Sequence, residues 1–224
     1  MKRPLIVIAG VLVLVIVGGV GWYLGSPLFL NQQVNEDLPF AFEVPGAEEL
    51  SAMSEAEVEQ VRGALQAAIP NEATLAEMPE AEQQAIEDAA MEAAAVMPDK
   101  TMEDPMPEAA TEPMIVLQGQ FQDADAFHQG SGLAKLFELP DGSRLLRFED
   151  FQVTNGPALH VLLATNPNPT SSDDLGEYID LGQLKGNVGS QNYEIGADVD
   201  LSQYNSIVIY CKPFHIVFSI APLS

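Results

Sequence analysis

Cysteine is nearly absent from this 224-residue chain: Cys211 is its only one. A single thiol closes no intramolecular disulfide, supplies no cysteine-based zinc or cluster site, and leaves no Cys-x-x-Cys-His pattern for covalent haem attachment. Three roles remain for it: inert packing, a link between two chains, or chemistry. Bases are scarce too, with nine Lys and Arg against 33 Asp and Glu and a formal charge of −24. Such a surface repels phosphate backbones, so nucleic acid is not an expected partner. No Ser-His-Asp order, paired-carboxylate motif or metal-ligand spacing stands out, and Gly130-Ser-Gly132 is too short to cradle a phosphate. A free-standing hydrolase or transferase therefore has no visible nucleophile and base.

What the chain does have is divided sharply along its length. Leu5 to Leu24 carries no charge and is rich in Leu, Ile, Val and Gly, enough to cross a hydrocarbon core as a helix. Lys2 and Arg3 precede it and no base follows until Arg62, which places the N-terminus in the cytoplasm and the rest outside. Trp22 and Tyr23 stand at its far end, where aromatic residues favour the interface. The run exceeds a signal-peptide core and no Ala-x-Ala site follows, so residues 1–25 read as an uncleaved membrane anchor.

Residues 26–113 read as an acidic stalk rich in Ala, Glu, Met and Pro. Between Glu36 and Glu112 lie 20 acids against Arg62 and Lys100 alone, a local charge of −18. That charge keeps an exposed protein soluble and holds it off an anionic bilayer. After a connector over residues 31–45, a faint repeat relates Leu50-Ser-Ala-Met-Ser-Glu-Ala-Glu to Leu75-Ala-Glu-Met-Pro-Glu-Ala-Glu. Each copy predicts a short amphipathic helix. The first starts at the capping box Ser54-x-x-Glu57 and the second at Pro79; Pro70 and Pro98 end them. Their apolar stripes are thin, so they need each other, the C-terminal domain or a partner. Seven of the eight methionines fall between Met53 and Met114, a spacing better suited to adaptable packing than to Cu(I) ligation. Lys100–Pro113 reads as an extended linker.

From residue 114 to 224 the pattern changes to about eight short strands with no convincing helix, which predicts a β-sandwich or a partly closed barrel. Pro140-Asp141-Gly142 marks a hairpin and Asn155-Gly156-Pro157 a turn. Thr165–Glu177 is the longest irregular stretch, a candidate rim or lid. The richest strand signal is the ending, Ile207–Cys211 and Phe214–Ile220, broken at Pro213. Alternation puts Cys211 on the face of Ile207 and Ile209, at least half buried, and Lys212 on the other. In the last run it groups Phe214, Ile216, Phe218 and Ile220, leaving His215 outward. His128 lies in a Gly-rich loop and His160 within a strand.

Residues 117–223 resemble a known family. The likeness is carried by Gly119-x-Phe121, His128 with Gly130 and Gly132, Leu146-Arg-Phe-Glu-Asp-Phe151 and Asn155-Gly-Pro157. It continues through Leu181-Gly-x-Leu-Lys-Gly-Asn187, Gly189, Gln191-Asn-Tyr193, Tyr204 and Val208-Ile-Tyr-Cys-Lys, and ends with Phe214, Val217, Phe218 and Ala221. The family is the electron-transfer DM domain, number thirteen of its series, which accompanies cell-surface and matrix proteins of the Skeletor group. Tyr210 stands where the family often has Trp before its cysteine. The resemblance implies a β-rich extracytoplasmic redox module with Cys211 as the working residue or as the ligand of a prosthetic group such as haem. It makes His128 a second ligand or proton partner, and a redox or envelope protein the partner. The residues themselves leave three readings open: the redox domain, a non-enzymatic envelope binding or adhesion module with Cys211 as packing, and a dimer linked through Cys211.

Overall fold

The computed structural model describes residues 45–107, 114–139 and 142–224; the expected anchor at Leu5–Leu24 lies outside them, as do Pro140 and Asp141. Among the described residues no helix is long and apolar enough to cross a membrane.

The faint repeat is a repeat of structure, but of four helices rather than two. Each copy is a short helix followed by a long one: α1 (Ala47–Ala52) and α2 (Glu55–Ala68), then α3 (Glu72–Ala76) and α4 (Glu80–Ala95). The repeated leucines explain the doubling, because Leu50 of α1 and Leu75 of α3 are the buried residues of their short helices and belong to one core with Leu65 and Ile86. The expected capping box forms: the Glu57 carboxylate accepts from the Ser54 backbone N–H at 2.8 Å, and Ser54 Oγ accepts from the Glu57 N–H at 3.4 Å. Asn71 caps α3 in the same way, accepting from the Thr74 N–H at 3.0 Å.

The remaining elements described are strands, apart from single 3-10 turns at Ser172–Asp174 and Leu201–Gln203. The strands are β1 (Thr101–Glu103), β2 (Met114–Gln120), β3 (Gln122–Asp123), β4 (Gly130–Glu138) and β5 (Arg144–Val153). Then come β6 (Leu159–Ala164), β7 (Tyr178–Gln183), β8 (Val188–Ile195), β9 (Ser206–Cys211) and β10 (Ile216–Pro222). They form two five-stranded sheets, ordered β1-β8-β5-β4-β2 and β3-β10-β9-β6-β7. This is a sandwich and not a closed barrel. Between the sheets lies the main core, which includes Phe121, Phe148, Phe151, Val161, Ile207, Ile209, Cys211 and Phe218. Phe121, Phe148 and Phe151 meet pairwise at 4.8–4.9 Å between ring centroids, each such pair contributing about 0.5–1.5 kcal/mol beyond its buried area.

Three expectations change. The linker is not free: Thr101–Glu103 joins the sheet as a parallel edge strand on β8, a pairing between residues more than 80 apart in the chain that local pattern does not announce. The helical segment is not a free-standing stalk, since it is tied to the sandwich. Asn155 donates to the Met97 carbonyl (3.0 Å), and Asn187 donates to Asp99 (2.7 Å) and accepts from the Lys100 N–H (2.7 Å). The face assignment of the last strand also breaks, because the β9–β10 register shifts between Val217 and Ser219. Phe218 faces the main core, while Ile220 joins a second cluster on the outer face with Val217 and Val208. A one-residue bulge exchanges the two faces beyond it.

That outer face is closed by the irregular loop. Leu175, 2% exposed, caps the cluster of Leu162, Val208, Tyr210 and Ile220. Asp174 folds the loop by accepting from the N–H groups of Thr170 (2.9 Å) and Ser171 (2.8 Å). Thr165–Glu177 thus covers the outer face of this sheet through Leu175.

Gly189 allows the docking of β1. Its φ of +99° is a left-handed conformation, and a Cβ there would stand 2.1 Å from the Met102 carbonyl oxygen. Gly189→Ala is therefore expected to cost more than about 2 kcal/mol in urea unfolding and to open residues 98–107 to limited proteolysis. Gly142→Ala, at φ +81° but with open space around it, is the control and should lose only about 1 kcal/mol. Equal losses without new cleavage would mean that β1 contributes nothing to the fold.

Candidate functional site

Cys211 is the last residue of β9, paired with Leu159 on one side and Ile216 on the other. Alternation places it as expected, with Ile207 and Ile209 on the inner face, but its burial is complete at 0% exposure. A thiolate there loses its hydration, so burial pushes the thiol up to about 12. Backbone hydrogen bonds from Ala158 and Phe214 act in the opposite direction, favouring the charged form. In this state Cys211 is a neutral thiol, without the thiolate that nucleophilic or ligating chemistry needs.

The residues that follow decide what covers it. Lys212–His215 is the tight turn between β9 and β10, so Pro213 separates two strands as expected. His215 takes φ +58°, the left-handed position that lets a short loop close a hairpin. Within the turn, Phe214 packs against both the sandwich core and the helical core. A cleft of about 140 Å³ lies over it, lined by Glu72, Leu75 and Glu87 from the helices and by Pro213 and His215. The helices therefore sit on the Cys211 end of the sandwich.

Glu87 of α4 is the polar group that sequence reasoning missed. It lies within electrostatic reach of both Cys211 and His128, and burial, then repulsion from Asp88, raises its pKa. Nothing in the sequence separates it from the other acids of its segment; only the docking of α4 does.

His128 is fixed on the other side of this region. Asp125 accepts from the backbone N–H groups of Phe127 (2.7 Å) and His128 (2.8 Å), and its second oxygen lies 2.7 Å from His128 Nδ1. The imidazole rests on Phe218 at 4.3 Å between centroids, and Phe218 belongs to the same core as Cys211. The other two histidines are elsewhere. His160 lies on the outer side of β6, 2.9 Å from Asp180, which also accepts from Lys212 at 2.7 Å. His215 takes up the Tyr210 hydroxyl at 2.8 Å and stands 3.4 Å from Glu72.

Haem does not fit this arrangement. Axial ligation needs the sulfur to face an open slot, whereas Cys211 is sealed in apolar packing and the 140 Å³ cleft over Phe214 is below the roughly 300 Å³ of an ordinary ligand pocket. His128, its Nδ1 engaged by Asp125 and its face against Phe218, does not complete such a slot.

Several motif residues prove to be structural. Gln191, wholly buried, accepts from the Tyr193 hydroxyl (2.8 Å) and the Gly186 N–H (3.2 Å) and donates to the Gly186 carbonyl (2.6 Å). These bonds fold the β7–β8 turn whose Asn187 holds the helical segment.

Comparison with curated proteins yields no match, and neither does comparison with solved structures. A family model does match, over residues 120–223, the sandwich from the end of β2 through β10. This part of the chain, with its motifs and its two-sheet fold, matches the model of the Electron transfer DM13 family.

Proposed function

We propose that the chain is a membrane-tethered, extracytoplasmic electron-transfer module whose redox group is Cys211, held in reserve under the α1–α4 cover. The observation that carries this reading is the position of Phe214, three residues beyond the thiol and shared by both cores. Lifting the helices would strip one of those cores from Phe214 and admit water to the end of β9. The desolvation that holds the thiol near 12 would fall, while the Ala158 backbone hydrogen bond would remain to favour thiolate. A lone cysteine has no internal partner, so its oxidised form is a sulfenic acid or a disulfide with a second protein. The apolar run Leu5–Leu24 behind Lys2 and Arg3 supplies the tether and the orientation. The complete burial of Cys211 favours a second reading, an envelope binding module in which the thiol is packing.

Thiol reactivity separates the two. At neutral pH, maleimide labelling of Cys211 in the full chain should be slow, and Leu75→Asp, which breaks the helical core beside Phe214, should accelerate it at least about tenfold while the sandwich stays folded by circular dichroism. Labelling that follows only global unfolding in urea, in both proteins, would establish the packing role.

Alkaline titration gives an independent check. The folded thiol keeps its proton above pH 9, where the unfolded chain has lost it, so its stabilising contribution is complete below about 9 and is lost as pH rises towards about 12. Thiolate absorbance of the folded protein should appear near pH 12, and Cys211→Ala should reduce the fall in stability over that interval.

A further inference from the structure

Bases are scarce in this acidic protein, and several of them gather in one place. Seven of its bases are described, and three of them, Arg62, Lys100 and Lys185, line a single cleft of about 220 Å³. Its charged lining is completed by one acid, Glu59, in a chain where acids outnumber bases 33 to nine; the Lys185 ammonium is paired outside the lining with Asp104 at 2.6 Å, which leaves Arg62 and Lys100 to face the cleft. Solubility does not explain the clustering, because it places bases where the surrounding charge is least able to use them. The cleft lies at the seam of the two layers: α2 supplies Glu59, Arg62 and Gln66, and the sandwich supplies Gln183 and Lys185.

Arg62 is held there at a cost. Its side chain is 13% exposed and burial lowers its pKa. One nitrogen, Nη2, donates to the Pro98 carbonyl at 2.7 Å. Its Nε is the one buried side-chain polar atom without a hydrogen-bond partner among the described residues. The nearest carboxylate, Glu59 Oε2, is 3.7 Å away, an ion pair but too long for a hydrogen bond. A buried, unsatisfied guanidinium N–H is a demand for an acceptor.

Glu59 indicates which acceptor. It is 53% exposed, and its two oxygens reach Arg62 at 3.7 Å and Lys100 at 2.8 Å. This exposed side chain, on the same helix as Arg62, is hydrogen-bonded to Lys100 but only at long range to Arg62, and it stands in the position an incoming anion would take. A free oxyanion would approach the guanidinium more closely than this 3.7 Å while replacing the 2.8 Å contact to Lys100, so that both cations make charge-assisted hydrogen bonds. The volume is under that of a drug-sized pocket, which limits the guest to a few heavy atoms.

We propose that this seam cleft is a binding site for a small oxyanion, carboxylate or phosphate, with Arg62 and Lys100 as its direct contacts and Glu59 as the built-in competitor that the ligand displaces. Binding there joins α2 to the sandwich and tightens the docking of the helical layer. The site is independent of Cys211 chemistry, and its test reads no thiol.

Malonate and inorganic phosphate serve as probes, titrated into the full chain by calorimetry at constant ionic strength, with chloride as the control. The expected result is saturable binding of at least one probe that chloride does not reproduce. It should tighten about tenfold or more in Glu59→Gln, where the internal competitor is gone, and weaken about tenfold or more in Lys100→Gln, an exposed change that leaves the fold intact. Preference for malonate would assign a carboxylate ligand and preference for phosphate a phosphorylated one. Binding that is absent from both the wild type and Glu59→Gln would overturn the proposal. So would binding reproduced by chloride, or unchanged by Glu59→Gln and Lys100→Gln alike.

Discussion

Everything in this domain answers to the double burial of β9. All six of its residues are buried, and their side chains serve two cores: Ile207, Ile209 and Cys211 point between the sheets, Val208 and Tyr210 to the outer face. A sheet with one solvated face would expose Val208 and Ile220 to water. Covering them brings the 165–177 loop across the sheet, with Leu175 as its plug and Asp174 as the clasp that shapes it. Covering the end of the strand recruits Phe214, and through Phe214 the helices. The hydrophobic effect is not directional, so one apolar strand can enlist covers from distant parts of the chain.

The helical layer is held by polar groups of the sandwich at well-separated points. Asn155 takes the carbonyl that follows α4, Asn187 takes both a side chain and a backbone N–H of residues 99–100, and Gly189 leaves room for β1. These contacts satisfy backbone groups that would otherwise be stranded against the domain. They also bring Glu87 within electrostatic reach of the buried thiol. Negative charge near a thiol disfavours thiolate, so Glu87 adds to the effect of burial in raising the Cys211 pKa.

The same seam makes the cleft that concentrates Arg62, Lys100 and Lys185. Its charges come from α2, from the residue before β1 and from the β7–β8 turn. A partly filled interface between a helical layer and a sheet is where unsatisfied polar groups accumulate, because neither layer packs with the regularity of its own interior.

Local geometry was legible from residue order alone. Alternation located eight strands and put Cys211 on the inner face; the Ser54 capping box located the start of α2, and the Leu50 and Leu75 repeat marked two equivalent helical segments. The motifs from Gly119 to Ala221 pointed to the family whose model matches residues 120–223. These signals survive without tertiary contacts because backbone period and capping are properties of a few consecutive residues. Tertiary structure alone decided that Thr101–Glu103 pairs with β8 and that a bulge turns Ile220 to the outer face. It alone placed Glu87 near the thiol and three bases from residues 62 to 185 in one cleft. Each of those depends on which surfaces meet when apolar area is buried, a choice made across dozens of residues that no local period encodes.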